Sequence, residues 1–392
     1  MTVNLQLPSG NWNYPTAVRF GAGRISELAD ACRSLGMQRP LLVTDPGLAD
    51  LPMIRDAIAA NEAANLPTGL FSRIKPNPVG GNVEDGVRAF RDGGHDGIIA
   101  MGGGSGLDAG KAVAFMSGQT RPLWDFEDVG DNWARADAGG IAPIVAVPTT
   151  AGTGSEVGRA SVITNEESHT KKIIFHPKML PGVVISDPAL TAGLPPHITA
   201  ATGMDALAHC FEAYCAPGYH PMADGIAVEG MRLVQGWLEK AVADGADLEA
   251  RSHMLSAASM GATAFQKGLG AIHSLSHPVG AVYDTHHGLT NAVFFPYVMV
   301  FNRPAIEDRM THLARVLDLP KPGFAGVLDW ILTLRETLNI PHTAKDLGVE
   351  ESRLDELSKM AAEDPTAGGN PVPVGVSEMK RMFEAALAGR VG

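Results

Sequence analysis

The sequence predicts an α/β domain built on a parallel sheet, followed by an all-α domain. Three observations carry this reading. The chain has 392 residues, more than one hydrophobic core ordinarily serves, so two domains are expected, 1–190 and 191–392. Its first half alternates short apolar runs with helical stretches. Its second half, beyond Asp187-Pro188 and Leu194-Pro195-Pro196, carries helical patterns and few strand-like runs.

The strands come first. Leu41–Thr44, Ile98–Met101, Ile144–Val147 and Val183–Ser186 are continuous apolar runs, each followed by Asp, Gly or Pro. Strands buried on both faces of a parallel sheet have this texture, because helices cover them above and below. Helix-like segments at Val83–Arg91 and Asp108–Met116 lie between them, as a βαβ arrangement requires. In the second half, apolar periodicity predicts helices at Thr199–Tyr214, Met222–Ala243, Glu249–Gly268, Ala305–Leu317, Phe324–Leu338, Glu351–Ala362 and Ser377–Ala388.

Composition excludes several classes. The formal net charge is −12 and no cluster of Lys and Arg appears, so the basic face of a nucleic-acid binder is missing. No run of eighteen apolar residues exists, so no membrane span is expected. Met1–Gly10 has neither a basic region nor an apolar core and predicts no signal peptide. The three cysteines, Cys32, Cys210 and Cys215, form no metal-binding or redox spacing. The expected location is the cytoplasm.

Two glycine-rich loops follow buried strands. Gly102-Gly103-Gly104-Ser105-Gly106 connects Ile98–Met101 to a helix containing Asp108 and Lys111. Glycines there let backbone approach an anion, and the free N–H groups of the helix N-terminus point at it. The pattern is neither G-x-G-x-x-G nor a P-loop; half of such turns are only turns, and the position at the end of an early strand favours phosphate binding. Pro148-Thr149-Thr150-Ala151-Gly152-Thr153-Gly154-Ser155-Glu156 forms the second loop, with hydroxyls suited to a pyrophosphate or ribose. Asp45, at the end of a strand, is placed to accept from a ribose and to repel a 2′-phosphate, although Asp-Pro-Gly is also a turn sequence.

The third signal is a set of histidines. His273, His277, His286 and His287 fall within fifteen residues, and Asp205 and His209 lie earlier at helical i, i+4 spacing. On one unbroken helix His273 and His287 would stand roughly 21 Å apart, so the chain must turn back between them. Pro278, Gly280 and the stretch from Asp284 to Gly288 are the expected breaks. Three imidazoles and one carboxylate suit iron(II) or zinc and leave room for a substrate oxygen. The bland alternative is a group of buried, hydrogen-bonded histidines.

These motifs together resemble the iron-containing, or group III, alcohol dehydrogenases over nearly the whole chain. The resemblance rests on Lys75-Pro76-Asn77-Pro78, the Gly102–Lys111 and Pro148–Glu156 segments, Ala201–His209, His273–Gly280 and His287-Gly288. It implies a Rossmann-like dinucleotide-binding domain joined to an all-α metal-binding domain. It implies metal ligation by Asp205, His209, His273 and His287, with His277 a non-ligand histidine beside the nicotinamide. His277 is the expected proton relay.

Implied cofactor contacts are Asp45, Asn77, Gly103, Gly104, Ser105, Thr149, Thr150, Thr153 and Lys171; the glycine-turn reading adds Gly102 and Asp108. The expected cofactors are Fe(2+), with Zn(2+) as alternative, and NAD in preference to NADP. Gly106 stands where the family commonly has Pro, which predicts a looser turn. The implied reaction is reversible hydride transfer between the nicotinamide and a primary alcohol or aldehyde; the alternatives are secondary alcohol oxidation of the glycerol dehydrogenase type and metal-dependent hydrolysis. A homodimer is expected by analogy, with Phe265, Phe175 and Val157 as candidate pocket residues.

Overall fold

The computed structural model describes residues 16–168 and 170–392; the Met1–Gly10 segment read for a signal lies outside the described residues. In chain order the first half contains β1 (Ala17–Phe20), α1 (Leu28–Ser34), β2 (Pro40–Val43), α2 (Pro46–Ala49), α3 (Pro52–Ala63), β3 (Gly69–Phe71), α4 (Gly80–Asp92), β4 (Gly97–Gly102), α5 (Gly104–Met116), β5 (Ile144–Pro148), β6 (Ala160–Asn165), β7 (Thr170–Phe175) and β8 (Val183–Ser186). The second half contains α6 (Pro196–Cys215), α7 (Pro221–Ala243), α8 (Leu248–Ala264), α9 (Ala271–Tyr283), α10 (His287–Val316), α11 (Gly323–Thr337), α12 (Leu354–Glu363) and α13 (Val376–Ala388).

Six strands form one parallel sheet in the order β1-β8-β5-β4-β2-β3. Leu41 pairs with Ile98, and Ile98 with Ile144, so the apolar runs lie side by side. Their alternate side chains enter two cores. Leu41, Val43, Ile98, Ala100, Ile144 and Ala146 pack with α4 and α5, while Leu42, Ile99, Met101, Val145 and Val147 pack with α1 and α3. Burial on both faces explains why these strands read as unbroken hydrophobic runs. From β2 the chain passes outward to β3, then returns on the other side of β2 as β4. That reversal puts a crevice between the C-terminal ends of β2 and β4, where open α/β sheets bind ligands.

The edge strands and one hairpin escape the sequence pattern. β1 and β3 are short and partly exposed, so neither gives a buried run. β6 and β7 form an antiparallel hairpin whose partly buried residues mix Ile and Val with Ser, Thr and Lys.

The second half is all helix around its own core. Six of the seven expected helices appear within a few residues of their predicted bounds; the seventh, Ala305–Leu317, is the end of the much longer α10. Pro296 and Pro304 suggest breaks there, yet both lie inside α10. A proline removes one helical donor and kinks the helix. Around Pro296 every residue from Asn291 to Met299 is buried, and packing of that length offsets the lost bond; Pro304 lies beyond that stretch and is exposed. Among the described residues no helix is long and apolar enough to cross a membrane.

Candidate active site

The crevice is lined as the glycine loops suggest. Gly103 caps α5 without a side-chain bond, so the first N–H groups of this helix remain available. Thr149 N donates to the Gly102 carbonyl at 2.9 Å, which joins the second loop to the first. The two loops touch: a Cβ at Gly104 would stand 2.5 Å from Thr153 Oγ1, and one at Gly103 would stand 3.2 Å from Thr150 Cγ2. Glycine is required by this close approach. Asp45 caps α2 by accepting from Leu48 N at 3.2 Å, and its other oxygen stands 3.6 Å from where a Gly102 Cβ would be. The carboxylate therefore borders the glycine turn at the reversal point. There it serves as a helix cap.

Gly106 lies in the first turn of α5. Leu107 N donates to the Gly103 carbonyl at 3.0 Å, and a Cβ at Gly106 would lie 3.4 Å from the Met101 carbonyl. The helix starts regularly because Gly106 already lies inside α5.

Three expected cofactor contacts bond elsewhere in the protein. Ser105 Oγ donates to the Pro76 carbonyl, which pins the Lys75–Pro78 loop on α5. Asn77 Nδ2 donates to Asp284 Oδ1 at 2.7 Å, joining that loop to the turn after α9. Asp108 accepts from the Ser155 hydroxyl and from Val162 N, and its Oδ1 stands 3.3 Å from Lys111 Nζ. Both Asp108 oxygens are engaged, so this residue ties the second loop and β6 to α5.

Lys111 is fully buried beneath that loop and donates to the carbonyls of Ser155 and Ala160. Burial lowers its pKa and raises that of Glu156, which accepts from Ser259 of α8 at 2.7 Å. A buried polar bridge thus runs from the sheet to the helical half under the threonine loop.

Asp205, His209, His273 and His287 converge. One ligand atom from each lies within 4.8 Å of all the others. Asp205 Oδ1 stands 3.9 Å from Nε2 of His209, 3.9 Å from that of His273 and 3.6 Å from that of His287. These separations are too long for hydrogen bonds and suit donors grouped around one cation. α6 supplies Asp205 and His209 from one face, as their spacing requires.

The return of His287 is made differently from the expected route. Pro278 and Gly280 lie inside α9, and the chain reverses at Asp284, whose φ of 52° ends the helix. His286 caps α10 by accepting from Leu289 N at 3.4 Å, so it takes no place among the ligands.

The donor set fits a divalent cation electronically as well. Burial pushes His209 down to about 4. Burial, Lys171 and the neighbouring histidines hold His287 well below the ordinary value. Both rings are neutral near pH 7, with lone pairs available. At His273 burial also works against charge, but Glu212 and Asp205 outweigh it and the net shift is upward.

Glu212 explains that difference. Its Oε2 lies 2.5 Å from His273 Nδ1, and its Oε1 accepts from Ile272 N at 2.7 Å. A carboxylate behind a metal-binding imidazole fixes the ring and leaves Nε2 for the ion.

His277 stacks on His287, with ring centroids 5.4 Å apart, and its Nδ1 lies 2.8 Å from Asp364 Oδ2. Burial works against charge on Asp364, yet the bonds from His277 and Thr366 hold its carboxyl below the usual range. Lys171 and His277 line a cavity of about 240 Å³ with Asp364 and Met360. Burial lowers the Lys171 pKa, opposed by Asp108, Asp205, Asp364 and Asp284. Phe265 packs on the His209 ring, with centroids 5.1 Å apart. Val157 is buried in the core shared by the sheet and α5. Phe175 instead meets Trp133 and the Arg159 guanidinium.

Glu212, Asp364 and Asn291 escape the sequence reading. Glu212 follows His209 by three residues and had a helical-face signal; Asp364 had none, being eighty-seven residues from His277.

Comparison with known proteins agrees with this geometry. Residues 15–188 match the family model for iron-containing alcohol dehydrogenase, and residues 199–387 match its C-terminal counterpart. The chain is 38% identical to 4-hydroxybutyrate dehydrogenase of Cupriavidus necator, over 95% of this chain and 99% of that one. It is 34% identical to NAD-dependent methanol dehydrogenase of Bacillus methanolicus, over 96% of this chain and all of the relative. The solved structure of a 1,3-propanediol oxidoreductase superposes with a TM-score of 0.92 at 34% identity, covering 97% of this chain and 100% of that one. On the strength of these matches and of the convergent Asp205, His209, His273 and His287, the chain belongs to the iron-containing alcohol dehydrogenase family.

Proposed function

We propose that this protein interconverts primary alcohols and aldehydes with NAD(H), using iron(II) at Asp205, His209, His273 and His287. The convergence of those four donors carries the reading. A divalent iron there supplies Lewis acidity to the substrate oxygen, and the nicotinamide supplies or takes the hydride. The protein's own part is positional. The α5 N-terminus with Gly102, Gly103, Gly104 and Ser105, and the loop with Thr149, Thr150 and Thr153, cradle the pyrophosphate. Asp45 meets the adenosine ribose, and Lys171 and Asn77 flank the nicotinamide end. Asp108 holds the threonine loop in place from below.

The chain divides in this reading near residue 190, into a cofactor-binding domain at 1–190 and a metal-binding domain at 191–392. Separate cores in the sheet and helical halves support that division. Zinc is the alternative ion, since the same donors accept it. The proposed setting is the cytoplasm, consistent with three buried, free cysteines. The proposed assembly is a homodimer, for which exposed Val18 and Phe20 on the edge strand β1 offer apolar area.

The test is anaerobic metal analysis of the purified protein combined with a panel of aldehydes and NADH. Absence of NADH oxidation with every aldehyde, on protein carrying one iron per chain, would remove the proposal. Two substitutions refine it. In Asp45→Gly, loss of the carboxylate is expected to raise the use of NADP relative to NAD about tenfold, the equivalent of about 1.4 kcal/mol. A ratio equal to the wild type's makes Asp45 a helix cap and nothing more.

His277 Nδ1 lies 2.8 Å from Asp364 Oδ2, so the Asp364 carboxylate accepts Nδ1–H and leaves Nε2 to exchange the proton. His277→Ala is expected to lower kcat by about 10² to 10⁴, with metal content and NADH affinity retained. An unchanged kcat and pH–rate profile together would eliminate the relay.

A further inference from the structure

Asn291 lies on α10, one turn after His287, and its side chain is fully buried. Its Nδ2 stands 2.8 Å from Asp205 Oδ1, 3.2 Å from His273 Nε2 and 3.2 Å from His287 Nε2. Three of the four ligand atoms therefore face one amide nitrogen. The orientation of the amide follows from chemistry. All three neighbours are acceptors when the rings are neutral, so the NH₂ must face them and the oxygen must point away. That oxygen, Oδ1, is buried and has no hydrogen-bond partner among the described residues. An orphaned buried acceptor is costly, and its persistence points to a demand on the other end of the side chain.

We infer that Asn291 is a positioning residue of the metal centre, which orients Asp205 and thereby sets the affinity and selectivity of the ion site. The inference rests on the reading of the four donors as an ion site. The lone pairs decide which contact matters. An imidazole Nε2 has a single lone pair and gives it to a cation. A carboxylate oxygen has two, so Asp205 Oδ1 accepts from Asn291 and still faces the ion. The bond keeps Asp205 Oδ1 turned toward the three imidazoles.

Neutrality is the second part of the argument. A carboxylate in the same place would add another hard oxygen donor and another negative charge. Asparagine keeps the set at three nitrogens and one oxygen, the composition that suits iron(II) or zinc over manganese(II) or magnesium. The outer carboxylate Glu212 acts on His273 from behind; Asn291 acts on the ligand atoms themselves from the α10 side.

The test uses the full chain, stripped of metal and titrated with Zn²⁺ and with Mn²⁺ in competition with a chromophoric chelator. Asn291→Leu, close in volume and without hydrogen bonds, is expected to weaken Zn²⁺ binding about 10- to 100-fold, with NADH affinity within about twofold of the wild type. Asn291→Asp covers the case in which the leucine variant fails to fold. It is expected to shift the Zn²⁺/Mn²⁺ affinity ratio toward Mn²⁺ by at least about tenfold. The Co²⁺-substituted proteins should differ from the wild type in their visible absorption, a signature that a purely structural role leaves alone.

Wild-type Zn²⁺ affinity in Asn291→Leu, or an unshifted ratio and Co²⁺ spectrum in Asn291→Asp, overturns the inference. Failure of the wild-type protein itself to bind Zn²⁺ or Co²⁺ refutes the ion site instead, so the two failures are distinguishable.

Discussion

His273→Ala is expected to abolish metal retention and lower turnover by at least about a thousandfold, while NADH binds as before. The magnitude follows from losing charge stabilisation at the substrate oxygen, several kcal/mol, at about 1.4 kcal/mol per factor of ten. The substitution removes one of four donors and strands Glu212, whose Oε2 lies 2.5 Å from His273 Nδ1. A buried carboxylate without its partner is strongly unfavourable, so the variant should also melt earlier than the wild type. NADH binding should persist because the His273 ring bonds to Glu212 and Asn291, whereas the two loops proposed to hold the pyrophosphate are joined to each other through Thr149 N and the Gly102 carbonyl.

Elemental analysis, turnover with an aldehyde and NADH fluorescence titration read the three effects separately. Glu212→Gln is the graded companion. It leaves four donors and weakens only the orientation of one ring, with a 10- to 100-fold loss of metal affinity expected. Wild-type metal content in His273→Ala would remove the metal centre from this part of the protein.

Spacing singled out Asp205, His209 and the four histidines from His273 to His287, and the family resemblance then picked His273 and His287 from those four. Asp205 and His209 share a helical face, and three histidines suitable for one ion are rare by chance. The sheet was legible too. Strands buried on both sides must be apolar throughout, and β2, β4, β5 and β8 are. β1 and β3 pair on one side only and the β6–β7 hairpin is half-buried, so their sequences meet weaker demands.

Proline misleads within helices. Pro278, Pro296 and Pro304 are all inside helices; Pro278 and Pro296 are held there by burial that a local reading does not see, whereas Pro304 is exposed. The residues that orient the ligands were the hardest to find. Glu212 looks like an ordinary helical carboxylate until His273 is placed against it. Asp364 reaches His277 only because the chain after α12 returns to α9. Hydrogen bonds between distant elements leave no period in a sequence; they depend on tertiary packing.

Gly288→Ala is expected to destabilise the protein by about 1–3 kcal/mol and to damage the metal centre without replacing a ligand. Gly288 follows His287 at the start of α10, where α10 presses on α6. A Cβ there would stand 2.3 Å from the Ala201 carbonyl oxygen and 3.0 Å from Asp205 Cβ. Ordinary contact begins near 3.5 Å, so the two helices must part by roughly 1 Å. The atom in the way is backbone, which cannot rotate aside as a side chain does.

α6 carries Asp205 and His209, whereas α10 carries His287 and Asn291, so separating these helices pulls the donor set apart. A misplacement of about 1 Å costs on the order of a hundredfold in rate where catalysis depends on position. Metal affinity, melting temperature and kcat should therefore fall together. Gly225→Ala on α7 provides the control: nothing lies within 4 Å of its Cβ, and alanine should stabilise that helix by about 0.5–1 kcal/mol. A Gly288→Ala protein with wild-type metal affinity would show that α6 and α10 yield without moving the ligands, and that the glycine is not what closes the site.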